Sequence, residues 1–314
     1  MLAYIARRLA LTVPTLLLVS VAVFVLMRLV PGDPAQLMLG DSGTPELLAE
    51  LRLRMGLDQP LPVQFLLWLG HLATGDLGNS LANDLAVLPL VLERFQVSAT
   101  IVVVAVALAA LIAVPAGMVA AWRQGSATDV AVVAGATLLL SIPSFWLGLL
   151  LLLLFGLKLG WVPVIGYVPF AVDFWRATGF VLLPIATLAL IETGVLTRMA
   201  RASTIEVLRL EYITHARAKG VPEGRVLLRH ALPNAFAPTW TMIGLILGNL
   251  LGGIAVMETV FTIPGLGRLL VDAIFARDYP VVQGCMLLTT LVYVLVNLVV
   301  DLFYPLFDPR VAAQ

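Results

Sequence analysis

The sequence predicts an all-α integral membrane protein with six transmembrane helices. Hydrophobic residues make up 61% of its 314 residues and charged residues only 12%, about half the charged share of a soluble domain. The mean hydropathy is +1.01. A helix needs ~20 apolar residues to cross the hydrocarbon core, and six stretches are of about that length: 9–29, 97–121, 131–156, 180–198, 238–257 and 283–304. This composition excludes a soluble enzyme or a nucleic-acid-binding protein.

The first apolar stretch follows Arg7 and Arg8, as the core of a signal peptide would. Its apolar run is longer than the ~7–15 residues of a signal sequence, and Pro31-Gly32-Asp33-Pro34 is a poor cleavage site. We therefore predict an uncleaved membrane anchor.

The distribution of basic residues predicts the orientation. With the N-terminus inside, the inner segments 1–8, 122–130, 198–237 and 305–314 hold 11 Lys and Arg in 67 residues. The outer segments hold 8 in 117 residues, and they are 28–96, 157–179 and 258–282. Because Lys and Arg are enriched on the cytoplasmic side, we predict that both termini are cytoplasmic.

This topology divides the chain into four segments. Residues 1–30 form the cytoplasmic N-terminus and the first span, and 31–96 form an extracytoplasmic loop. Residues 97–304 form the transmembrane core, which contains the cytoplasmic loop 198–237, and 305–314 form a cytoplasmic tail.

The outer loop 31–96 contains signals for two interfacial helices. Thr44 is a candidate N-cap for the first helix, and Gly56 is a candidate left-handed residue that ends it. Between them, one apolar face is formed by Leu47, Leu48, Leu51 and Met55. Segment 61–73 is apolar and aromatic, as interfacial helices are. Two interpretations remain open: a cap over the outer mouth of the bundle, or a direct contact with substrate or receptor.

The inner loop 198–237 carries seven of the 19 basic residues. We predict a helix from about Ser203 to Lys219, a break at Gly220 and Pro222, and a second helix from Glu223 to Leu232. Its charge alone is also typical of a topology signal bound to anionic lipid. Two short helices around a fixed turn instead favour a knob that fits a protein socket.

Part of this inner loop resembles the signature of ABC importer permeases, E-A-A-x-x-x-G, nine residues, then I-x-L-P. Ala216, Gly220, Leu232 and Pro233 match that signature. The Glu, first Ala and Ile positions are occupied by Thr214, His215 and His230. The A-R-A-K-G form of residues 216–220 is usual in the peptide and nickel branch of the family.

Other segments resemble the same branch and occur in its order. They are Arg7-Arg8, Pro31-Gly32-Asp33-Pro34, Gly56-Leu57-Asp58-Gln59-Pro60, Gly75-Asp76-Leu77-Gly78, Glu258-Thr259-Val260-Phe261, Pro264-Gly265-Leu266-Gly267, Arg277-Asp278-Tyr279-Pro280, Asp301-Leu302-Phe303-Tyr304 and Asp308-Pro309-Arg310. The chain is therefore similar to the first of two permease subunits in dipeptide, oligopeptide, glutathione and nickel importers of the bacterial inner membrane. This resemblance implies the type I importer permease fold.

The resemblance also implies the partners. The chain has no G-x-x-x-x-G-K-[ST] phosphate cradle, so two separate ATPase subunits are expected to bind ATP and Mg²⁺. A second homologous permease and an extracytoplasmic substrate-binding protein complete the importer, and lipid surrounds it. No catalytic residue, metal or cofactor is predicted in this chain, since Cys285 is the only cysteine and no metal-binding spacing occurs.

The family implies which residues contact the ATPase subunit. The expected contact residues are Thr214, His215, Ala216, Arg217, Ala218, Lys219, Gly220, Leu232 and Pro233. Small Ala216 and Ala218 would allow close approach, and Arg217 and Lys219 would pair with acidic groups of the partner. Gly220 would permit the turn.

Two carboxylates are candidates for the translocation pathway or a gate. Glu192 lies inside the fourth predicted span, where a carboxylate is expensive. Three interpretations of Glu192 remain open. Its carboxylate could face the substrate in the pathway, form a structural ion pair with Arg198, or be protonated at an interface between helices. Glu258 follows the fifth span and is a candidate gate or loop-ordering residue. The alternative function, an ion-coupled secondary transporter, would need paired broken helices and more carboxylates, and an intramembrane enzyme would need a catalytic set.

Overall fold

The computed structural model describes residues 2–29, 35–36, 44–54 and 56–307. Its helices are α1 (Leu2–Leu29), α2 (Pro45–Arg54), α3 (Leu61–Ala73), α4 (Val87–Trp122), α5 (Ala127–Ser141), α6 (Ser144–Lys158), α7 (Phe174–Leu208), α8 (Glu211–Ala218), α9 (Glu223–Gly253), α10 (Ala255–Val260), α11 (Leu266–Phe275) and α12 (Tyr279–Phe303). The motif Pro31-Gly32-Asp33-Pro34, Met55 and the tail 308–314 lie outside the described residues.

The predicted six-span, all-α fold is confirmed, with one change in shape. Five helices are long and apolar enough to cross a membrane, and α5 and α6 together supply a sixth span that is bent by 96°. The bend falls at Pro143, because a residue before proline is pushed out of the helical region. Ile142 is accordingly extended, with φ −94° and ψ 125°. The sequence predicted a single span over this stretch, 131–156, with Pro143 as a position where it could kink.

The two helices of the long loop form as predicted. Leu47 N–H donates to Thr44 Oγ1 at 3.3 Å, which caps α2, and Gly56 has the left-handed φ of 62°. The α3 helix packs its aromatic side chains against α1, with the rings of Phe65 and Trp68 5.4 and 5.7 Å from that of Phe24. The loop is therefore fastened to the first span.

The core is built around α7, which contacts α4, α5 and α9. A Cβ at Gly117 of α4 would lie 2.7 Å from the Thr197 carbonyl oxygen of α7. Likewise, a Cβ at Gly194 would lie 2.8 Å from the carbonyl oxygen of Ala136 in α5. Small residues allow such close backbone approach between membrane helices, so these glycines fix the distances within the bundle.

Long-range contacts define the two ends of the bundle. At one end, Arg8 of α1 pairs with Asp301 of α12 at 2.8 Å, and Arg201 of α7 pairs with Asp129 of α5. At the other end lies α3. We call these the α8 end, because α8 follows the final turn of α7, and the α3 end.

Candidate functional site

The inner loop folds into two helices around a turn, but their boundaries differ from the prediction. The predicted first helix, Ser203 to Lys219, is wrong: α7 ends at Leu208, and α8 begins at Glu211 after an extended Leu210 (ψ 146°). The change of direction buries Ile213 completely, against Val207 and Val226. We call residues 210–225 the α8 knob.

The turn between the helices of the α8 knob is formed as expected. Gly220 has φ 76°, and its N–H donates to the Arg217 carbonyl oxygen at 2.9 Å. Val221 N–H reaches the Ala216 carbonyl oxygen at 3.3 Å. These bonds satisfy the last carbonyls of α8, as glycine caps do, and Pro222 then leads into α9.

Two of the expected partner contacts are engaged within the chain, Ala216 by burial and Arg217 by an ion pair. Ala216 is only 9% exposed and packs with Ile213 and Ala231, so its methyl group serves the internal packing of the α8 knob. Arg217 is already paired within the chain: its Nε and Nη2 donate to the Glu223 carboxylate at 2.8 and 3.2 Å. Both side chains are about 40% exposed, so this pair contributes little, ~0–1 kcal/mol.

The remaining motif residues of the α8 knob form an exposed surface. Its members are Thr214, His215, Ala218, Lys219 and Gly220. Because Ile213 and Ala216 anchor the opposite face, this surface is held outward from the bundle. It is the face of the α8 knob that is available to a partner.

The second helix of the loop was predicted to end at Leu232, and this boundary is wrong. It continues as α9 to Gly253 through a π-helical turn at Val226–Ala231. Pro233 lacks an N–H and normally disrupts a helix, but here Leu232 N–H donates to the Leu227 carbonyl oxygen, five residues back. The wider turn leads the helix into Pro233 without a break, so the α8 knob is continuous with a span.

A side-chain network that the sequence did not reveal ties α8 to this π turn. Tyr212 donates its hydroxyl hydrogen to the His230 carbonyl oxygen at 3.2 Å. Asn234 Nδ2 donates to Tyr212 Oη at 2.9 Å and to the same carbonyl at 3.3 Å. The network gives the His230 carbonyl oxygen two side-chain donors and ties α8 to the start of α9.

A second cluster, also absent from the sequence prediction, joins α5 to α7 at the α8 end. Arg201 Nε and Nη2 donate to the two carboxylate oxygens of Asp129 at 2.6 and 2.8 Å. Gly125 N–H donates to Asp129 at 2.9 Å, and Ser126 caps the start of α5. This bidentate pair fixes the α4–α5 turn against the final turns of α7.

We expect Asp129→Asn to lower the midpoint of thermal unfolding by about 3 °C or more, measured on the detergent-purified complex. The substitution leaves the Arg201 guanidinium without its bidentate acceptor. Arg201→Lys should have a smaller effect, because the charge stays but the planar fork is lost. Glu206→Gln, on the exposed side of α7, should leave the midpoint unchanged, and an equal shift in all three variants would contradict the assignment.

Glu258 is 1% exposed and orders the segment after the fifth span. Its carboxylate accepts hydrogen bonds from Ser98 Oγ of α4 and from Arg268 N–H in the first turn of α11. Ser98 Oγ in turn accepts Leu266 N–H at 2.8 Å. Burial raises the pKa of the Glu258 carboxyl, and the hydrogen bonds from Ser98 and Arg268 oppose that shift.

Asp278 plays a similar part at the α3 end. The sequence marked its segment, Arg277-Asp278-Tyr279-Pro280, but gave no role for its carboxylate. This buried carboxylate accepts hydrogen bonds from Ser80 Oγ and from the backbone N–H groups of Leu81 and Ala82. It therefore fastens the segment before α4 to the start of α12.

Glu192 is half-buried on α7. Among the described residues its carboxylate has no hydrogen bond or ion pair, so the expected structural pair with Arg198 is not formed there. Glu192 and Glu258 lie on different elements, and no contact joins them among the described residues. The two candidate carboxylates thus belong to separate environments.

Comparison with known proteins identifies the family. The family described as "Binding-protein-dependent transport system inner membrane component" matches residues 113–313. This chain belongs to that family. The N-terminal component of the same systems matches residues 1–105, so the two matches cover nearly the whole chain. It is therefore a multi-pass inner membrane permease of a binding-protein-dependent ABC importer.

Full-length relatives agree with this assignment. The chain is 43% identical over 311 residues to a putative peptide transport system permease protein of Brucella suis, and the alignment covers 99% of each chain. It is 41% identical to a di/tripeptide transport system permease protein of Pseudomonas aeruginosa over 100% of both chains. A glutathione transport system permease protein of Salmonella choleraesuis is 41% identical over 99% of both. Nothing supports the secondary-transporter alternative.

Proposed function

We propose that this chain is the first of two permease subunits in a peptide importer and that the α8 knob couples it to separate ATPase subunits. The continuity of α9 carries this proposal. One unbroken helix runs from Glu223 in the α8 knob to Gly253 in the bundle, so a force on the α8 knob would move a transmembrane span. The relatives' names supply the substrate class.

The partners follow from what the chain lacks and what it exposes. Its sequence has no phosphate-binding motif, so ATP and Mg²⁺ would bind to two ATPase subunits. Six spans do not readily enclose a peptide pathway alone, so a second, homologous permease would complete it. A substrate-binding protein would dock at the α3 end, where α3 packs on α1 and Asp278 fastens the segment before α4.

Copurification and ATP hydrolysis test the proposal. We expect the tagged chain to retain a second permease and two ATPase subunits in mild detergent, and the reconstituted complex to hydrolyse ATP faster when the peptide-loaded binding protein is added. The isolated chain should show no ATP hydrolysis above the background of empty vesicles. Robust hydrolysis by the isolated chain would overturn the assignment of coupling to partners.

The proposed orientation places the α8 end in the cytoplasm, because the basic residues concentrate there. Ala73 of α3 and Gln124 after α4 are both exposed. In a Cys285→Ala background, we expect an impermeant thiol reagent to label Ala73→Cys in intact cells with a permeabilised outer membrane. Gln124→Cys should react only after the cells are lysed. The reverse pattern would refute the orientation and, with it, the docking site for the ATPases.

A further inference from the structure

A cavity of about 680 Å³ lies at the α3 end, where the first and last spans meet the long loop. Its lining includes Arg28 in the last turn of α1, and Tyr279 and Gln283 at the start of α12. Trp68 and His71 of α3 also line it. Two spans end here beside an apolar, aromatic helix, so the cavity lies at the level of the lipid headgroups, where Trp and Tyr are enriched. We call it the Arg28 cavity.

The half-buried Arg28 gives this cavity a positive charge that the described residues do not neutralise. Its guanidinium carbon lies 5.1 Å from the centre of the Phe24 ring, and it forms no ion pair or hydrogen bond among the described residues. Asp58 lines the same cavity, but it is exposed, and its carboxylate accepts a hydrogen bond from Gln59 Nε2 at 2.8 Å. The Arg28 guanidinium is therefore available to an anion, and its planar fork fits the oxygens of a phosphate.

One wall of the Arg28 cavity is held in place by internal hydrogen bonds. Gln64 Nε2 of α3 donates to the carbonyl oxygens of Leu57 and Gln59 at 3.2 and 2.8 Å. These bonds fasten the turn between α2 and α3, in which Gly56 has its positive φ. Because this wall is already ordered, less freedom is lost when a ligand binds to it.

A second cavity, of about 310 Å³, lies between α1, α3, α4 and α12. None of its described lining residues is charged. The hydroxyls of Ser20 and Thr290 line it, but they donate to the carbonyl oxygens of Leu16 and Met286 in their own helices. This apolar cavity is therefore suited to a hydrocarbon chain.

The two cavities adjoin, because the same three helices line both. Each helix contributes a residue to the Arg28 cavity and, four positions away, a residue to the apolar cavity: Phe24 and Ser20 of α1, Gln283 and Leu287 of α12, and Trp68 and Leu72 of α3. Residues four apart are neighbours on a helix surface. On both spans the residue of the apolar cavity is the one farther from the end of the span, so that cavity extends towards the membrane centre.

We propose that the two cavities bind one phospholipid of the leaflet at the α3 end, with its phosphodiester on Arg28 and an acyl chain in the apolar cavity. A free phosphate would leave the apolar cavity empty, and a neutral lipid would leave the guanidinium without an anion. The bound lipid would add contacts that join α1 and α3 to α12. This role is independent of the transported solute and of the coupling to ATPase subunits.

Thermal unfolding of the delipidated, detergent-purified complex tests the proposal with three added compounds. Dioctanoyl phosphatidylglycerol has the phosphodiester and the chains, dioctanoylglycerol lacks the phosphate, and glycerophosphoglycerol lacks the chains. Arg28→Gln removes the charge, and Leu287→Trp narrows the apolar cavity while Arg28 stays intact. Arg176→Gln, exposed in the first turn of α7 and outside both cavities, is the matched control.

We expect phosphatidylglycerol to raise the unfolding midpoint by about 3 °C or more, and the other two compounds to leave it unchanged. In Arg28→Gln, the lipid concentration that gives half of the shift should rise about tenfold, the effect of losing one charge-assisted contact. Leu287→Trp should also raise it, and Arg176→Gln should respond as the wild type does. Native mass spectrometry should detect one phosphatidylglycerol fewer on the Arg28→Gln complex than on the wild type.

Four results would overturn the proposal. An equal shift with dioctanoylglycerol would mean that the phosphate is not recognised. Stabilisation by glycerophosphoglycerol would assign the Arg28 cavity to a soluble phosphate ester. An unchanged lipid response in Arg28→Gln would remove the guanidinium from the site, and an unchanged response in Leu287→Trp would remove the acyl chain from the apolar cavity.

Discussion

Gly220→Asp is expected to leave the chain inserted in the membrane but to reduce peptide uptake about tenfold or more. Gly220 has φ 76°, where a side chain costs roughly 1–2 kcal/mol. No atom lies within 4 Å of a Cβ placed there, so the penalty comes from the backbone rather than from a clash. Relief of that strain would rotate α8 away from the position in which an ATPase subunit receives it.

The chain contains a matched control for this substitution. Gly224 is exposed, has open space around its Cβ and lies in the first turn of α9, with an ordinary helical backbone. Gly224→Asp adds the same charge four residues away, where a helix N-terminus tolerates it. We expect it to keep wild-type uptake, and Gly220→Asn to be intermediate because it places a side chain at the same positive φ without the charge of aspartate.

The measurements are peptide uptake and peptide-stimulated ATP hydrolysis in reconstituted vesicles, with insertion checked by protease protection. In Gly220→Asp, hydrolysis should no longer respond to the loaded binding protein, or the ATPase subunits should dissociate during purification. If Gly220→Asp and Gly224→Asp both retain stimulated uptake, the α8 knob is a lipid-facing topology signal instead of a coupling element.

Local signals explain the features that the sequence predicted correctly. Span length and composition do not depend on tertiary contacts, so the number of spans could be counted. Thr44 caps α2, and Gly56 and Gly220 adopt positive φ, because each of these conformations is favoured by the residue itself. The positions of the loop helices and of the inner turn followed from these residues.

Tertiary contacts decided the features that were missed. The break at Leu210 has no glycine or proline nearby, and it exists because Ile213 can then be buried. Pro233 was predicted to interrupt a helix that in fact continues through a π turn. Asp129 and Arg201 are separated by 72 residues, and Ser98 and Glu258 by 160, so no local pattern could have paired them.

The Glu258 cluster carries the other prediction with a large expected effect. One carboxylate holds Ser98 of α4 and the first turn of α11 together, and Ser98 also receives Leu266 N–H. Gly265 packs so closely that a Cβ there would overlap the Glu258 carboxylate. The buried Glu258 carboxylate therefore orders the segment from α10 to α11. No other side chain has both its shape and its charge.

We expect Glu258→Ala to lower the free energy of unfolding of the detergent-purified complex by about 3 kcal/mol, since it leaves buried donors unsatisfied and opens a cavity. Ser98→Ala should cost less, and the double variant should cost less than the sum of both, because the two side chains share hydrogen bonds.

Hydrogen exchange should accelerate in α11 and remain unchanged in α8. Asp272→Ala, also on α11 but exposed, serves as the control for that helix. Unchanged exchange in α11 of Glu258→Ala would mean that the carboxylate does not order this segment, and strictly additive losses would mean that Ser98 and Glu258 act independently.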